Sequence, residues 1–298
     1  MEYSINGKQF SYIFNYKEDK DIRDSFNTLT QKVYGFSFEK WFQDGRWKDA
    51  YIPYSLLYKN VVVANVSINL IDFDVFGQKK RYIQIGTVMT DPEFRNMGLS
   101  RFLMEKIMEA WHGRFDMLYL FANDSVLDFY PKFGFEKAIE YQLSKKLKYI
   151  QPTMSAEKID MTDNAKRQAL VERICETKII SSLAMENNIG LIMFYCTSFM
   201  KENVYYISKY DAYVVAEFHN DTLYLQDLFC EAYVELDDIF AAMATDAIKE
   251  VVLGFTPSNK NGFEECVLNE DNSTLFVLGK DVEQFRYNRI MFPVLSHA

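Results

Sequence analysis

The sequence predicts an α/β protein of mixed α and β structure, organised as two domains, residues 1–150 and 151–298. Three observations carry this. At 298 residues, 49% hydrophobic and 25% charged, the chain can bury more than one ordinary core. Its first half alternates β-branched or aromatic runs with stretches of helical periodicity. Its second half repeats the same order: "TLYLQDLFCEAYVELDDIFAAMATDAIKEVVLGFTPSN", residues 222–259, runs strand, connection, helix, strand, as residues 81–123 do.

The elements follow in order. "KDIRDSFNTLTQKVYGF" (20–36) reads as a first helix and "FEKWFQDGRW" (38–47) as a shorter one. Strands are expected at "IPYSLLYKN" (52–60), "VVVANVSINLIDFDVF" (61–76) and "RYIQIGTVMT" (81–90), separated by the turn sequences "KN" and "GQKK". In "LSRFLMEKIMEAW" (99–111) the apolar residues Leu99, Phe102, Leu103, Ile107 and Ala110 or Trp111 recur at helical spacing. "MLYLFAN" (117–123) is a strand, "SVLDFYPKF" (125–133) a short helix stopped around Pro131, and "GFEKAIEYQLSKKL" (134–147) a turn returning as a strand. "YIQPTMSAE" (149–157) reads as a linker.

Composition narrows the function. No apolar run approaches the roughly 20 residues of a membrane helix, and "MEYSINGKQF" lacks the basic and apolar parts of a signal peptide. A cytoplasmic location without a membrane partner is therefore expected. Cys175, Cys196, Cys230 and Cys266 form no CxxC pair and the chain has only 3 histidines, so neither a metal site nor a disulfide framework is expected, and the cysteines read as buried and free. Residues 1–150 hold 21 Lys and Arg against 19 Asp and Glu, whereas residues 151–298 hold 12 against 23. An acidic second half argues against nucleic acid, which requires clustered cations. It serves solubility or attracts a cationic substrate.

The stretch "IGTVMTDPEFRNMGLSRFLMEKIMEA" (85–110) is the most informative. A strand that yields at Pro92 to a tight loop and then a helix aims backbone N–H groups, reinforced by the helix dipole, at one point. Gly98 permits unusual dihedrals and close backbone approach, Arg95 adds charge, and Ser100 adds a hydroxyl. This is an anion site suited to a pyrophosphate.

The region resembles the GNAT superfamily of acyl-CoA-dependent N-acyltransferases. Its signature, Arg or Gln, two residues, Gly, one residue, then Gly or Ala, reads here as Arg95, Asn96, Met97, Gly98, Leu99, Ser100. Asn96 and Ser100 depart from the glycine or alanine frequent at their positions. A second signature, Asn followed by Phe-Tyr and Gly-Phe, is similar to "NDSVLDFYPKFGF" (123–135). The resemblance, covering roughly residues 5–150, implies a GNAT fold: a central mixed, mostly antiparallel sheet flanked by helices, here as two similar domains in tandem. It implies acetyl-CoA (coenzyme A) as cofactor, with its pyrophosphate on the backbone from about Met97 to Ser100. Val88, Met89 and Thr90 would pair with the pantetheine arm, Asn123 would lie near that arm, and Tyr130 would be the general acid that protonates the departing thiolate.

In the second half the chemistry is missing. Where residues 93–100 read "EFRNMGLS", residues 230–237 read "CEAYVELD", and Glu231, Glu235, Asp237 and Asp238 would repel a phosphate. This half reads as a GNAT-like domain without a cofactor loop, or as another α/β domain of similar layout. Asp72, Asp74 and Glu93 are candidate bases. Phe36, Phe38, Trp41, Phe42 and Trp47 either wall the acceptor pocket or form core. Three classes stay open: an N-acetyltransferase acting on a small-molecule or peptide amine, a non-catalytic acyl-CoA sensor, and an interaction protein. The sequence is also compatible with a homo-oligomer.

Overall fold

The computed structural model describes residues 1–147, 156–186 and 188–297. Most of the expected linker 149–157 lies outside them; its last two residues begin a strand. Two mixed sheets organise the chain.

The first sheet begins with β1 (Glu2–Ile5), β2 (Lys8–Phe14), β3 (Tyr51–Tyr58), β4 (Val61–Val75), β5 (Gln78–Thr90) and β6 (Met117–Ala122), in that spatial order. Every neighbouring pair is antiparallel except β5 and β6, which are parallel and joined by a helix. β7 (Glu136–Lys137) sits at the far edge. The second sheet takes β8 (Tyr141–Lys146), β9 (Ala156–Lys158), β11 (Val204–Ile207), β12 (Ala212–His219), β13 (Thr222–Phe229), β14 (Glu250–Leu253) and β15 (Glu264–Val267), while β10 (Leu183–Glu186) pairs with β4. Among the described residues its only parallel pair is β13 with β14, again across a helix. The repeat read in the sequence is thus a repeat of topology.

The halves exchange strands. β16 (Thr274–Gly279), far along the second half, enters the first sheet antiparallel to β6, between β6 and β7. β8, from the first half, enters the second sheet antiparallel to β14, between β14 and β15. Each parallel pair is therefore flanked by a strand from the other half, and the expected boundary at residue 150 does not separate the sheets.

The helices are α1 (Lys20–Tyr34), α2 (Glu39–Gln43), α3 (Leu99–Trp111), α4 (Asn164–Glu176), α5 (Ile189–Thr197), α6 (Leu236–Met243) and α7 (Val282–Asn288). α1 starts where the Asp19 carboxylate accepts the Ile22 N–H and stops at Gly35 in the left-handed region, with Phe26 and Leu29 buried. α3 buries Leu99, Leu103, Met104 and Ile107 along one stripe, as its periodicity predicts. The helix expected over 125–133 is instead two 3₁₀ turns, Asp124–Val126 and Tyr130–Phe133. Pro131 has no N–H for an α ladder and suits the first turn of the second piece. Cys196 and Cys230 are buried, whereas Cys175 and Cys266 are exposed, and all four are free. Among the described residues no helix is long and apolar enough to cross a membrane.

Candidate active site

The site begins where two parallel strands part. Pairing of β5 with β6 covers only Tyr82–Gln84 against Met117–Tyr119, yet β5 runs on to Thr90 and β6 to Ala122. Among the described residues no strand lies beside the β6-facing edge of β5 beyond Gln84, and a cavity of 1430 Å³ is lined by residues of both strands. A bulge lies in the same segment: Met89 pairs with Asn65 and Gly86 with Ser67, leaving Thr87 and Val88 opposite Val66 alone. Thr87 adopts φ 47°. A β-branched residue there is strained by about 1–3 kcal/mol and must be held. The Tyr51 hydroxyl lies 2.7 Å from Thr87 Oγ1, and Asn65 Nδ2 donates to the Thr87 carbonyl at 2.9 Å. Asn65 is itself fixed, accepting from Ser55 Oγ at 2.8 Å and donating to Ser67 Oγ at 2.9 Å. The Tyr34 hydroxyl donates to the Val88 carbonyl at 2.7 Å.

At the end of β5 the chain makes a 3₁₀ turn, Pro92–Phe94, capped by the Asp91 carboxylate, which accepts the Glu93 N–H at 3.0 Å. Burial opposes ionisation of Asp91, but the Lys32 ammonium at 2.8 Å and the Glu93 N–H outweigh it and hold the carboxyl below its usual range. Asn96 (φ 60°) and Gly98 (φ 76°) are both left-handed. Asn tolerates that conformation, so its departure from the family's glycine is conformationally coherent. Gly98 is the N-cap of α3 and supplies no side-chain cap, leaving the first N–H groups of the helix open to the cavity. A Cβ on Gly98 would meet nothing within 4 Å, so the glycine serves its dihedral and the approach of a ligand rather than packing. Asn6 Nδ2 braces the loop from outside, donating to the Met97 carbonyl at 3.0 Å, and Ser100 Oγ lies 2.9 Å from Thr90 Oγ1. Arg95 is exposed and forms no ion pair among the described residues.

Tyr130 stands on the opposite wall. Its ring packs against Phe129 (5.1 Å between centroids), Phe276 of the exchanged β16 (5.7 Å) and Phe135 (6.3 Å). Its hydroxyl has no hydrogen-bond partner among the described residues, and burial, with Tyr34 nearby, raises its pKa well above the usual phenol range. Asn123 is exposed at the end of β6, its Oδ1 accepting from Ser125 Oγ at 2.6 Å.

The remaining wall is aromatic and comes from both halves: Phe36, Phe38, Trp41 and Tyr51 from the first, Phe194, Tyr195, Phe199 and His297 from the second. His297 stacks on Phe121 at 3.9 Å, and burial lowers its pKa to about 4. The segment leading to it is anchored by Tyr119, whose hydroxyl donates to the Ser296 carbonyl at 3.0 Å, and by Tyr195, which donates to the His297 carbonyl.

Residues 19–135 match the sequence profile of the acetyltransferase (GNAT) family. This segment is a GNAT-family domain. No curated protein matches the sequence significantly. Among solved structures, the chain is similar in fold to a probable N-acyltransferase from Enterococcus faecalis (TM-score 0.58, 13% identity, covering 93% of this chain and 74% of that one). It is similar also to GCN5-related N-acetyltransferases from Kribbella flavida (0.55, 15%, 90% and 70%) and Anabaena variabilis (0.55, 13%, 90% and 72%). The shared fold extends through both halves, beyond the segment that the family profile covers.

All the residues assigned from the sequence to the cofactor and to the acid line this cavity: Val88, Met89, Thr90, Arg95, Asn96, Met97, Gly98, Leu99, Ser100, Asn123 and Tyr130. Met89 and Leu99 are also part of the buried core. The candidate bases are elsewhere. Asp72 pairs with Arg81 at 2.8 Å, the Asp74 carboxylate accepts the Gly77 N–H at 2.8 Å, and neither they nor Glu93 line the cavity. Of the five early aromatic residues, Phe36, Phe38 and Trp41 line it, Phe42 lies beneath the Arg23 guanidinium at 3.7 Å, and Trp47 is core. The sequence reading missed Phe194, Tyr195, Phe199 and His297. A signal existed: "IGLIMFYCT" is apolar on every face, the mark of a helix buried between layers.

Proposed function

We propose that the chain is an N-acetyltransferase that moves an acetyl group from acetyl-CoA to a primary amine by direct attack in a ternary complex. Membership of the GNAT family supports acyl transfer in general. The single observation that carries the finer reading is that one cavity collects an uncapped helix N-terminus, a strand edge without a partner and a buried phenol whose hydroxyl is free.

In this reading the N–H groups from Met97 to Ser100 hold the pyrophosphate, assisted by Arg95. The free edge of β5 at Val88–Thr90 takes the pantetheine as an added strand, and Asn123 flanks it. The nitrogen of the neutral amine bonds to the thioester carbon as the carbon–sulfur bond breaks. The proton that the nitrogen sheds goes to solvent, the sulfur leaves as a thiol with the proton of Tyr130, and solvent reprotonates the phenol. Burial keeps Tyr130 protonated, so its hydroxyl is a donor to the sulfur as negative charge develops there. The second half then supplies pocket wall rather than a second cofactor site. β13, α6 and β14 repeat the layout of β5, α3 and β6, but α6 has Glu235 at its N-cap and Asp237 and Asp238 in its first turn, which disfavours an anion.

Thiol release from acetyl-CoA, measured over a panel of amines, tests the reading. Turnover with at least one primary amine supports it. Coenzyme A binding by calorimetry without turnover on any amine would instead mark an acyl-CoA sensor.

A further inference from the structure

We infer that the second half makes this site selective for a monoamine with an aromatic or similarly large apolar body, and that Phe194 and Phe199 set that selectivity. The inference rests on the N-acetyltransferase reading above.

The acceptor side of the cavity is assembled across the two halves by ring contacts. Phe194 of α5 stacks on Phe38 at 5.4 Å and meets Trp41 at 5.5 Å, while Phe199 meets Phe36 edge-on at 5.6 Å. The junction is close and specific. Trp41 Nε1 donates to the Gly190 carbonyl at 2.8 Å, and a Cβ on Gly190 would sit 2.6 Å from the Arg46 carbonyl oxygen, so only glycine admits this approach of α5. Phe199, at the rim, is 60% exposed, a large apolar face left to water beside the cavity mouth.

Charge decides between acceptor classes. The carboxylates lining the cavity are Asp124 and Asp128, both in the segment after Asn123, on the cofactor side. Among the described residues no acid of the second half lines the cavity; Glu231 pairs with Arg173 and Asp237 with Lys145. A polyamine or a lysine-rich peptide entering the aromatic part would lose hydration from several charges and find no counter-charge. One ammonium can rest against ring faces before it loses its proton, and an aromatic body gains the contacts that these rings offer. Attraction of a cationic substrate by the acidic half, one reading of the sequence, therefore does not extend to the pocket.

The test uses the full chain, with acetyl-CoA and three amines: 2-phenylethylamine, ethylamine and spermidine. Expected is a kcat/KM for 2-phenylethylamine at least tenfold above either of the others. Phe199→Ala, at an exposed position and so compatible with folding, should raise KM for 2-phenylethylamine about tenfold, a clearly larger factor than for ethylamine. A preference for spermidine, or equal effects of the substitution on all three amines, overturns the inference. If coenzyme A binds but no amine turns over, the catalytic reading fails, and calorimetry of the amines in the presence of coenzyme A still decides. Tighter binding of 2-phenylethylamine, lost in Phe199→Ala, supports the pocket assignment; tighter binding of spermidine, or no binding of either, refutes it.

Discussion

Replacing Tyr130 with Phe removes one oxygen, and the structure says what that oxygen does for folding. The ring keeps its packing on Phe129, Phe135 and Phe276, and the hydroxyl has no hydrogen-bond partner to lose. A substitution that leaves packing intact and orphans no polar group stays within about 0.5 kcal/mol. Chemistry should respond differently. A general acid contributes about 10²–10⁴-fold, equivalent to about 2.7–5.5 kcal/mol of transition-state stabilisation at about 1.36 kcal/mol per decade. The expected result is a kcat lower by that factor, nearly unchanged KM and coenzyme A affinity, and an unchanged thermal midpoint. An acyl donor with a more acidic thiol needs less help to depart and should recover part of the loss. Steady-state rates with two donors, together with a melting curve, measure all of this. Wild-type turnover with chemistry shown to be rate-limiting would assign the proton to another group, and a collapsed melting curve would make the tyrosine structural.

Four further outcomes follow from the geometry. Gly98→Ala should cost about 1 kcal/mol in a denaturant titration because φ 76° suits glycine, while Gly98→Glu should abolish coenzyme A binding in calorimetry by bulk and like charge at the helix N-terminus. Coenzyme A should titrate to one site per chain, and two sites would mean that "CEAYVELD" had been misread. Glu140 is buried, its Oε1 accepting the Phe292 N–H at 2.8 Å, and burial raises its pKa to about 8 from an ordinary 4.5. The folded state thus keeps a proton that the unfolded chain releases, so the group's contribution to stability is present below about pH 4.5 and lost as pH rises through about 8. Glu140→Gln should flatten that part of a stability–pH profile; an unchanged profile would place the titration elsewhere.

What could be read from the sequence was what local chemistry encodes. The stripe of α3, the turn after Thr90 and the spacing of Asn123 and Tyr130 each depend on neighbours within a few residues; the stripe marks core, while the loop from Arg95 to Ser100, Asn123 and Tyr130 line the cavity. The bulge at Thr87 could not be read, because a β-branched residue in the left-handed region defies its own propensity and is held by Tyr51 and Asn65 from other strands. Nor could the aromatic wall contributed by α5, since Trp41 and Gly190 meet across 149 residues of chain. The two 3₁₀ turns show the intermediate case: Pro131 announced a break but not the tighter winding on either side of it.

The exchanged β16 also sets an order of events during synthesis. The chain emerges from its amino terminus, so α3, β6 and the Tyr130 turn are made well before Thr274–Gly279. Until that strand arrives, β6 keeps a bare edge along its whole length, and the Tyr130 ring lacks Phe276 as a neighbour. A bare edge of this kind is a site for mispairing with other chains. A ribosome that stalls before β16 releases a chain that has the loop from Arg95 to Ser100 but lacks Phe276 beside Tyr130. The acyl transfer proposed above is thereby tied to β16 as well as to the segment that carries the family signature.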